Sequence, residues 1–220
     1  MKVADCPRVR DMTLSDLDGV VRLHKHCFPD SISIFTALSD DIVKRFYAQV
    51  IEEPECVAAV LEEPSSGRVV GLAFGTMKPG FQRRFLRRHF FCFVWGILSA
   101  FIVNPVLRKA MWARFKRRVR LLLQKRNAVL ANSTVPPPKG PEASYILLGV
   151  HTQWRGRGNA GRLVEYFTTR MFETGAARIN ALIRLDNLPS LKVHKRLGWN
   201  MTEISPEEVC VWIDRPDLNS

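Results

Sequence analysis

The stretch ASYILLGVHTQWRGRGNAGRLVEYFTTRMF, residues 143–172, decides how this chain folds. Its first eight residues are almost wholly apolar, too apolar for a sheet edge, so residues 143–150 read as a strand covered on both faces. Its second half repeats apolar residues at helical spacing, with Ala160, Leu163, Val164, Phe167 and Met171 on one face. Between them, Gly156 and Gly158 let the chain turn tightly and leave its backbone open to a ligand. A buried strand that runs through such a turn into a helix gathers backbone N–H groups at the positive end of a helix dipole, which suits phosphate. Arg155, Arg157 and Arg162 add side-chain charge. A purely structural turn would use the same glycines, so the surroundings must decide.

Upstream, Thr13 and Asp16 have capping-box spacing and open a helix predicted over residues 14–27, with Leu17, Val20, Val21, Leu23 and Cys27 at roughly helical spacing. Phe28-Pro29-Asp30 ends it. Ser39 begins a second helix through Phe46, Tyr47 and Val50, and Pro54 stops that one. Residues 56–61 and 68–77 are β-rich and joined by a polar turn, which predicts a hairpin, and residues 8–12 are a short candidate strand. Downstream, Gly175 closes the long helix, residues 177–184 read as a strand, 189–197 as a short helix ended by Gly198, and 209–213 as a last strand. The expected fold class is α/β (α+β), a mixed central sheet with helices on both faces. His24-Lys25-His26-Cys27 invites a metal reading, but helix residues two apart do not face each other, so a solvated helix end and no metal are expected.

The chain has 220 residues, enough for one domain with a large insertion, and its 46% hydrophobic content excludes a disordered or collagen-like protein. Five scattered cysteines support neither a disulfide framework nor a zinc finger. No signal-like segment opens the chain and no apolar run reaches spanning length, so a cytoplasmic protein is expected. The net charge of +12 is local. Fourteen Lys and Arg and no acid lie between Lys78 and Arg126, so the rest of the chain carries a net −2.

The central motif resembles the acetyl-CoA signature of the GNAT-type N-acetyltransferases: Arg or Gln, two residues, Gly, one residue, then Gly or Ala. Gln153, Gly156 and Gly158 match it. A second match follows, since the family often has Asn, a small residue at +3, Tyr at +7, and Gly then an aromatic at +11 and +12. Here these are Asn187, Ser190, His194, Gly198 and Trp199, with histidine replacing tyrosine. The resemblance implies a pyrophosphate held by Gln153, Arg155, Gly156, Arg157, Gly158, Asn159 and Ala160. It implies a pantetheine arm along Leu148, Gly149 and Val150 with Asn187 and Ser190 beside it, and a thioester in a V-shaped gap between the strands of Val150 and Ala181. Asn187 also suits a helix cap ahead of Pro189.

Direct transfer needs a deprotonated amine, an oxyanion partner and an acid for the departing thiolate. The resemblance places His194 at the acid position, where histidine can also serve. A surface histidine between Lys192 and Lys195 is the other reading. Tyr145 is a second acid candidate, and Glu142 or a water relay is the candidate base. His151 follows the pantetheine strand and could touch ligand. The implied activity is acetyl transfer from acetyl-CoA to a primary amine of a small molecule, such as an amino sugar of surface-glycan biosynthesis. A protein N-terminus or lysine as acceptor, or a non-catalytic CoA-binding module on membrane or RNA, are the alternatives.

Residues 78–140 stand where relatives make a short turn, and they are expected to form a basic helical insertion between strands 3 and 4, with a proline-rich return at 136–141. Residues 90–103 (FFCFVWGILSAFIV) are uncharged, and Leu107, Met111, Phe115, Val119 and Leu122 follow at helical spacing among Arg and Lys. This is the composition of a basic interfacial helix, so residues 81–126 are expected to meet an anionic membrane surface, making the protein peripheral at the inner face. Packing on the domain or in a homodimer is the alternative. Nucleic acid fits less well, because the aromatics are segregated from the charge.

Overall fold

The computed structural model describes residues 6–28, 36, 38–89 and 135–216. Seven strands form one sheet: β1 (Arg8–Asp11), β2 (Cys56–Glu62), β3 (Val69–Thr76), β4 (Glu142–Val150), β5 (Arg178–Arg184), β6 (Asn200–Ser205) and β7 (Glu208–Asp214), in the order β1-β2-β3-β4-β5-β7-β6. All neighbours are antiparallel except β4 and β5. Helices α1 (Leu17–Cys27) and α2 (Asp40–Glu52) cover β2, β3 and β4 on one face. On the other face α4 (Asn159–Glu173) crosses β2 to β4, with α5 (Leu188–Arg196) against it. The mixed sheet with helices on both faces agrees with the sequence.

Two apolar clusters hold these layers. Val60, Leu72 and Phe74 meet α1 and α2 through Val20, Val43 and Tyr47, whereas Ala73, Tyr145 and Ile179 meet α4 through Leu163, Val164 and Phe167. β3 is buried from Val70 onward because it is covered on both faces. At the start of α1, the N–H of Thr13 donates to Asp16 at 2.8 Å, and Arg10 grips both oxygens of that buried carboxylate at 2.7 Å. This is a capping box with an added ion pair.

Three elements differ from the reading of the sequence. β6 has no counterpart in the sequence reading, because it is a polar edge strand with half of its residues exposed and the rest half-buried, paired among the described residues with β7 alone. His24 is not at a solvated helix end: it is buried, its Nδ1 shares a 2.8 Å hydrogen bond with the Tyr47 hydroxyl, and burial lowers its pKa to about 4. The basic segment opens with α3 (Phe81–Arg88), whose Phe81 and Phe85 are buried against Phe46, edge to face at 5.9 and 5.1 Å. That apolar face is therefore used in packing and is closed to lipid. Residues 90–134, the bulk of the expected insertion, and residues 29–35 lie outside the described residues. Among the described residues no helix is long and apolar enough to cross a membrane.

Candidate active site

The site begins where the sheet opens. β4 and β5 pair only from Glu142–Arg178 to Ser144–Asn180. Between Phe74–Leu147 and Gly75–Tyr145 the β3–β4 register slips, which leaves Ile146 as an extra, bulged residue on β4. A bulge bends its strand and increases local twist, so β4 swings away from β5 just past the last paired residue. The V-shaped gap expected between the strands of Val150 and Ala181 is present.

Alternation along β4 sorts what faces the gap. His151 N–H donates to Val70 O at 2.8 Å, so odd-numbered neighbours bond toward β3, and the N–H and C=O of Leu148 and Val150 point to the empty side. Arg155 Nε–H donates to Val150 O at 2.8 Å, which leaves three backbone groups there without a partner among the described residues: both of Leu148 and the N–H of Val150. Gly149 does not join them. Its backbone faces β3, and the position of a Cβ on it would lie 3.0 Å from the Phe28 ring at the end of α1, so its glycine serves close packing.

A short 3-10 turn (Thr152–Trp154) leads from β4 to the glycines. Gly156 and Gly158 have φ of 75° and 78°, in the left-handed region, and a Cβ on either would meet nothing within 4 Å. Among the described residues the N–H groups of Gly156, Arg157 and Gly158 find no acceptor, and those of Asn159 and Ala160 belong to the first helical turn, which has none of its own. Five donors thus converge at the start of α4. Gln153 is exposed beside them. The Asn159 side chain turns inward instead: it is buried and donates to Trp154 O at 2.9 Å, fastening the turn. Arg157 lies over the Trp154 ring at 5.3 Å, leaving its charge on the outer side. His151 stacks on exposed His26 at 4.2 Å, a contact between residues far apart in sequence that no local pattern announces.

α5 closes the back of the gap. Asn187 is exposed and its side chain accepts from Ser190 N–H at 3.4 Å, so it caps α5. His194 is not a surface residue but is 1% exposed, with its edge to Trp199 at 4.7 Å and its ring 5.8 Å from that of Tyr145. Its Nδ1 lies 2.8 Å from Ser190 O. A carbonyl only accepts, so Nδ1 carries the proton, and Nε2 of the neutral ring presents a lone pair. Burial holds the imidazole pKa below its ordinary value, against the opposing bond to Ser190. The expected acid is therefore neutral and accepting at Nε2. Tyr145 is also buried, and burial raises its pKa, so it keeps its O–H. Nε2 of His194 and the Tyr145 hydroxyl both lack a partner among the described residues.

Glu142 is exposed at the paired end of β4, on the face away from α4, with Arg178 as its cross-strand neighbour. Ser144 separates it from the gap on that face, so its carboxylate would reach an amine there only through water. Among the described residues no three His, Cys, Asp or Glu side chains gather as metal ligands.

Residues 120–199 match the Acetyltransferase (GNAT) family. A 66-residue stretch is 36% identical to the mycothiol acetyltransferase of Corynebacterium aurimucosum, covering 30% of this chain and 20% of that protein. Another of 73 residues is 27% identical to an acetyltransferase of Yersinia pestis, covering 33% of this chain and 52% of the relative. The chain thus spans between a fifth and about half of the length of the relatives it matches. The fold superposes on the acetyltransferase yncA of Salmonella typhimurium with its cofactor acetyl-CoA, with TM-score 0.55, 13% identity and coverage of 94% of this chain and 93% of that one. It likewise superposes on the GNAT domain of S. lividans PAT, with TM-score 0.56, 16% identity and coverage of 95% and 90%.

Proposed function

We propose that the chain is a GNAT-type acetyltransferase, the family that residues 120–199 match, and that it transfers the acetyl group of acetyl-CoA to a primary amine. The observation that carries this reading is the continuity of the unpaired β4 edge with the five free N–H donors at Gly156–Ala160. An extended amide-bearing arm can pair with Leu148 and Val150 as a strand would, and a pyrophosphate at its end meets the donors and the dipole of α4. Gly158 and Gly156 leave room for that approach, while Asn159, Arg155 and Asn187 hold the surrounding backbone in shape rather than touching ligand.

The chemistry follows from the same edge. The free N–H of Leu148 or Val150 is the donor for the oxyanion, fixed in place before the reaction. Tyr145, kept protonated by burial, donates to the sulfur as the C–S bond breaks, and Glu142 serves the amine through water. The acceptor would approach from the face of the sheet that α4 does not cover, past Phe28. A small-molecule amine, an amino sugar of surface-glycan biosynthesis among them, is our reading of the acceptor. A protein N-terminus or lysine is the alternative class.

A membrane-facing role has one observation in its favour. Arg83, Arg84, Arg87 and Arg88 are exposed on α3, and none meets a carboxylate among the described residues. Such a face suits an anionic bilayer through charge alone. The transferase reading is tested by titrating the chain with acetyl-CoA and then following release of free thiol over a panel of amines, amino sugars and N-terminal peptides. Thiol release that depends on one amine class supports it. Binding of acetyl-CoA without release for any amine would leave a non-catalytic module.

A further inference from the structure

We infer that the stacked rings of His26 and His151 form a proton-accepting subsite for the pyrophosphate of coenzyme A, taking up part of a proton when it binds. The inference rests on the reading of the glycine turn as the CoA site. It starts from two imidazoles that the fold brings together from distant parts of the chain, with centroids 4.2 Å apart and planes 13° from parallel. His151 directly follows Val150, the last residue of β4, and its Nδ1 accepts the Gln153 N–H at 3.4 Å. His26 Nε2 lies 3.3 Å from the Thr152 hydroxyl. Both rings are thus fastened to the short turn that leads to the donors at Gly156–Ala160.

Packing alone does not account for two titratable rings at this place. His26 is exposed and His151 half-buried, so their stacking removes little apolar surface from water. A metal is a poor fit: nearly parallel rings cannot aim their in-plane lone pairs at one cation, and among the described residues no third ligand joins them.

The charges around the pair are mostly positive. On α1, Arg22 stands one turn before His26, and Lys25 beside it is paired with Asp40 at 2.5 Å, while buried His24 turns away to Tyr47. Arg68, just before β3, and Arg155, on the turn, both act on His151. Neither is in an ion pair among the described residues, and Arg155 bonds to Val150 O and the Cys27 thiol instead. Glu63 is the one acid that acts on His151, and it accepts from Ser66.

Burial, then His26, Arg68 and Arg155, hold the His151 pKa below its ordinary value against the pull of Glu63. A pyrophosphate on the neighbouring donors brings negative charge to this surplus and favours the charged form of an imidazole. Two imidazolium rings stacked at 4.2 Å would repel, so the pair holds one proton at most. A proton on His151 Nδ1 would also free the Gln153 N–H, one more donor just ahead of the glycines. Affinity for the pyrophosphate therefore rises as pH falls from 8 to 6.

Calorimetric titration of the whole chain with dephospho-CoA tests this. That probe keeps the pyrophosphate and lacks the phosphomonoester, whose own second ionisation near pH 6 would exchange a proton as well. At pH 6.5, in two buffers of different ionisation enthalpy, the wild type should take up roughly a third of a proton per ligand, and its affinity should rise roughly threefold from pH 8 to pH 6, the effect of a half-unit rise in pKa. The His26→Phe, His151→Phe double variant keeps two rings but no titrating nitrogen, so both effects should vanish. Should it fail to fold, His26→Phe alone, a change at an exposed position, should lower the uptake. Binding without proton uptake, or uptake that survives these substitutions, overturns the subsite and leaves the CoA site standing. If neither dephospho-CoA nor CoA binds, the CoA site itself is wrong.

Discussion

Ser144 and Asn180 are the last residues across which β4 and β5 pair, and from the next residue on β4 runs free. The parting coincides with the bulge at Ile146, whose partner strand carries Gly75 opposite Tyr145. A Cβ at position 75 would lie 2.5 Å from the Phe167 ring and 2.6 Å from Ser144 O, closer than real contacts allow. The gap thus depends on a residue that never faces it.

Gly75→Ala should therefore destabilise the protein by about 2 kcal/mol, the range for overpacking a dense core, and should also weaken CoA binding because the bulge must shift. Thermal denaturation and CoA titration of one sample check both. Unchanged CoA affinity in a destabilised variant would separate the bulge from the site.

Gly158→Val should raise the Kd for CoA by about tenfold or more. A Cβ there would meet no atom of the described residues within 4 Å, so the collision expected is with ligand, while the φ of 78° adds about 1–2 kcal/mol of backbone strain. Gly158→Ala carries similar strain with less bulk and should fall between. Equal losses for both variants would assign the effect to backbone strain alone.

His24 ties stability to pH. Burial lowers its pKa to about 4 in the fold against an ordinary value near 6.5, so the unfolded chain binds its proton first as pH falls. Its contribution is complete above about pH 6.5 and is lost progressively down to about pH 4, on the order of 3 kcal/mol in all. His194, shifted in the same direction, adds to the trend. Urea denaturation from pH 7.5 to 4.5 should show the decline, and His24→Leu should flatten it while losing the bond to Tyr47. An equally steep decline in that variant would exclude His24 as its cause.

Arg178 is 3% exposed and holds Asp214 with two bonds, at 2.6 and 3.0 Å, while covering Trp212. Arg178→Met should cost about 3 kcal/mol, because it strands a carboxylate that the fold keeps paired. Denaturant unfolding measures it. Restoration of stability in the Arg178→Met, Asp214→Leu double variant would show that the cost is the stranded charge.

If α3 meets an anionic bilayer, the chain should sediment with phosphatidylglycerol vesicles at low salt, not with neutral ones, and salt should release it. Reversing Arg83, Arg84, Arg87 and Arg88 to Glu should abolish binding. Because Phe81 and Phe85 belong to the core, a deletion must begin after His89, and removing residues 90–134 asks whether α3 alone suffices. A chain that stays in the supernatant with acidic vesicles has no such surface.

The sequence by itself determined the elements that carry a local signature. Thr13 and Asp16, Ser39, Pro54, Gly175 and Gly198 mark helix ends through bonds or dihedrals set within a few residues, and they stand where the pattern put them. The glycine turn before α4 was legible for the same reason, since positive φ and an open backbone are properties of single residues. The mixed sheet followed from the order of the elements.

What only the tertiary structure decided depends on neighbours distant in the chain. Lysines on either side of His194 suggested solvent, but Trp199 and Tyr145 bury it, and a carbonyl four residues back turned an expected acid into an acceptor. Gly149 looked like part of the ligand edge and proved to be a seat for Phe28, because alternation along β4 depends on a bulge that only the pairing with β3 reveals. Residue types and spacing set local geometry and charge. Burial, tautomer and strand direction at a gap are set by what packs across it, and that is fixed only once the chain has folded.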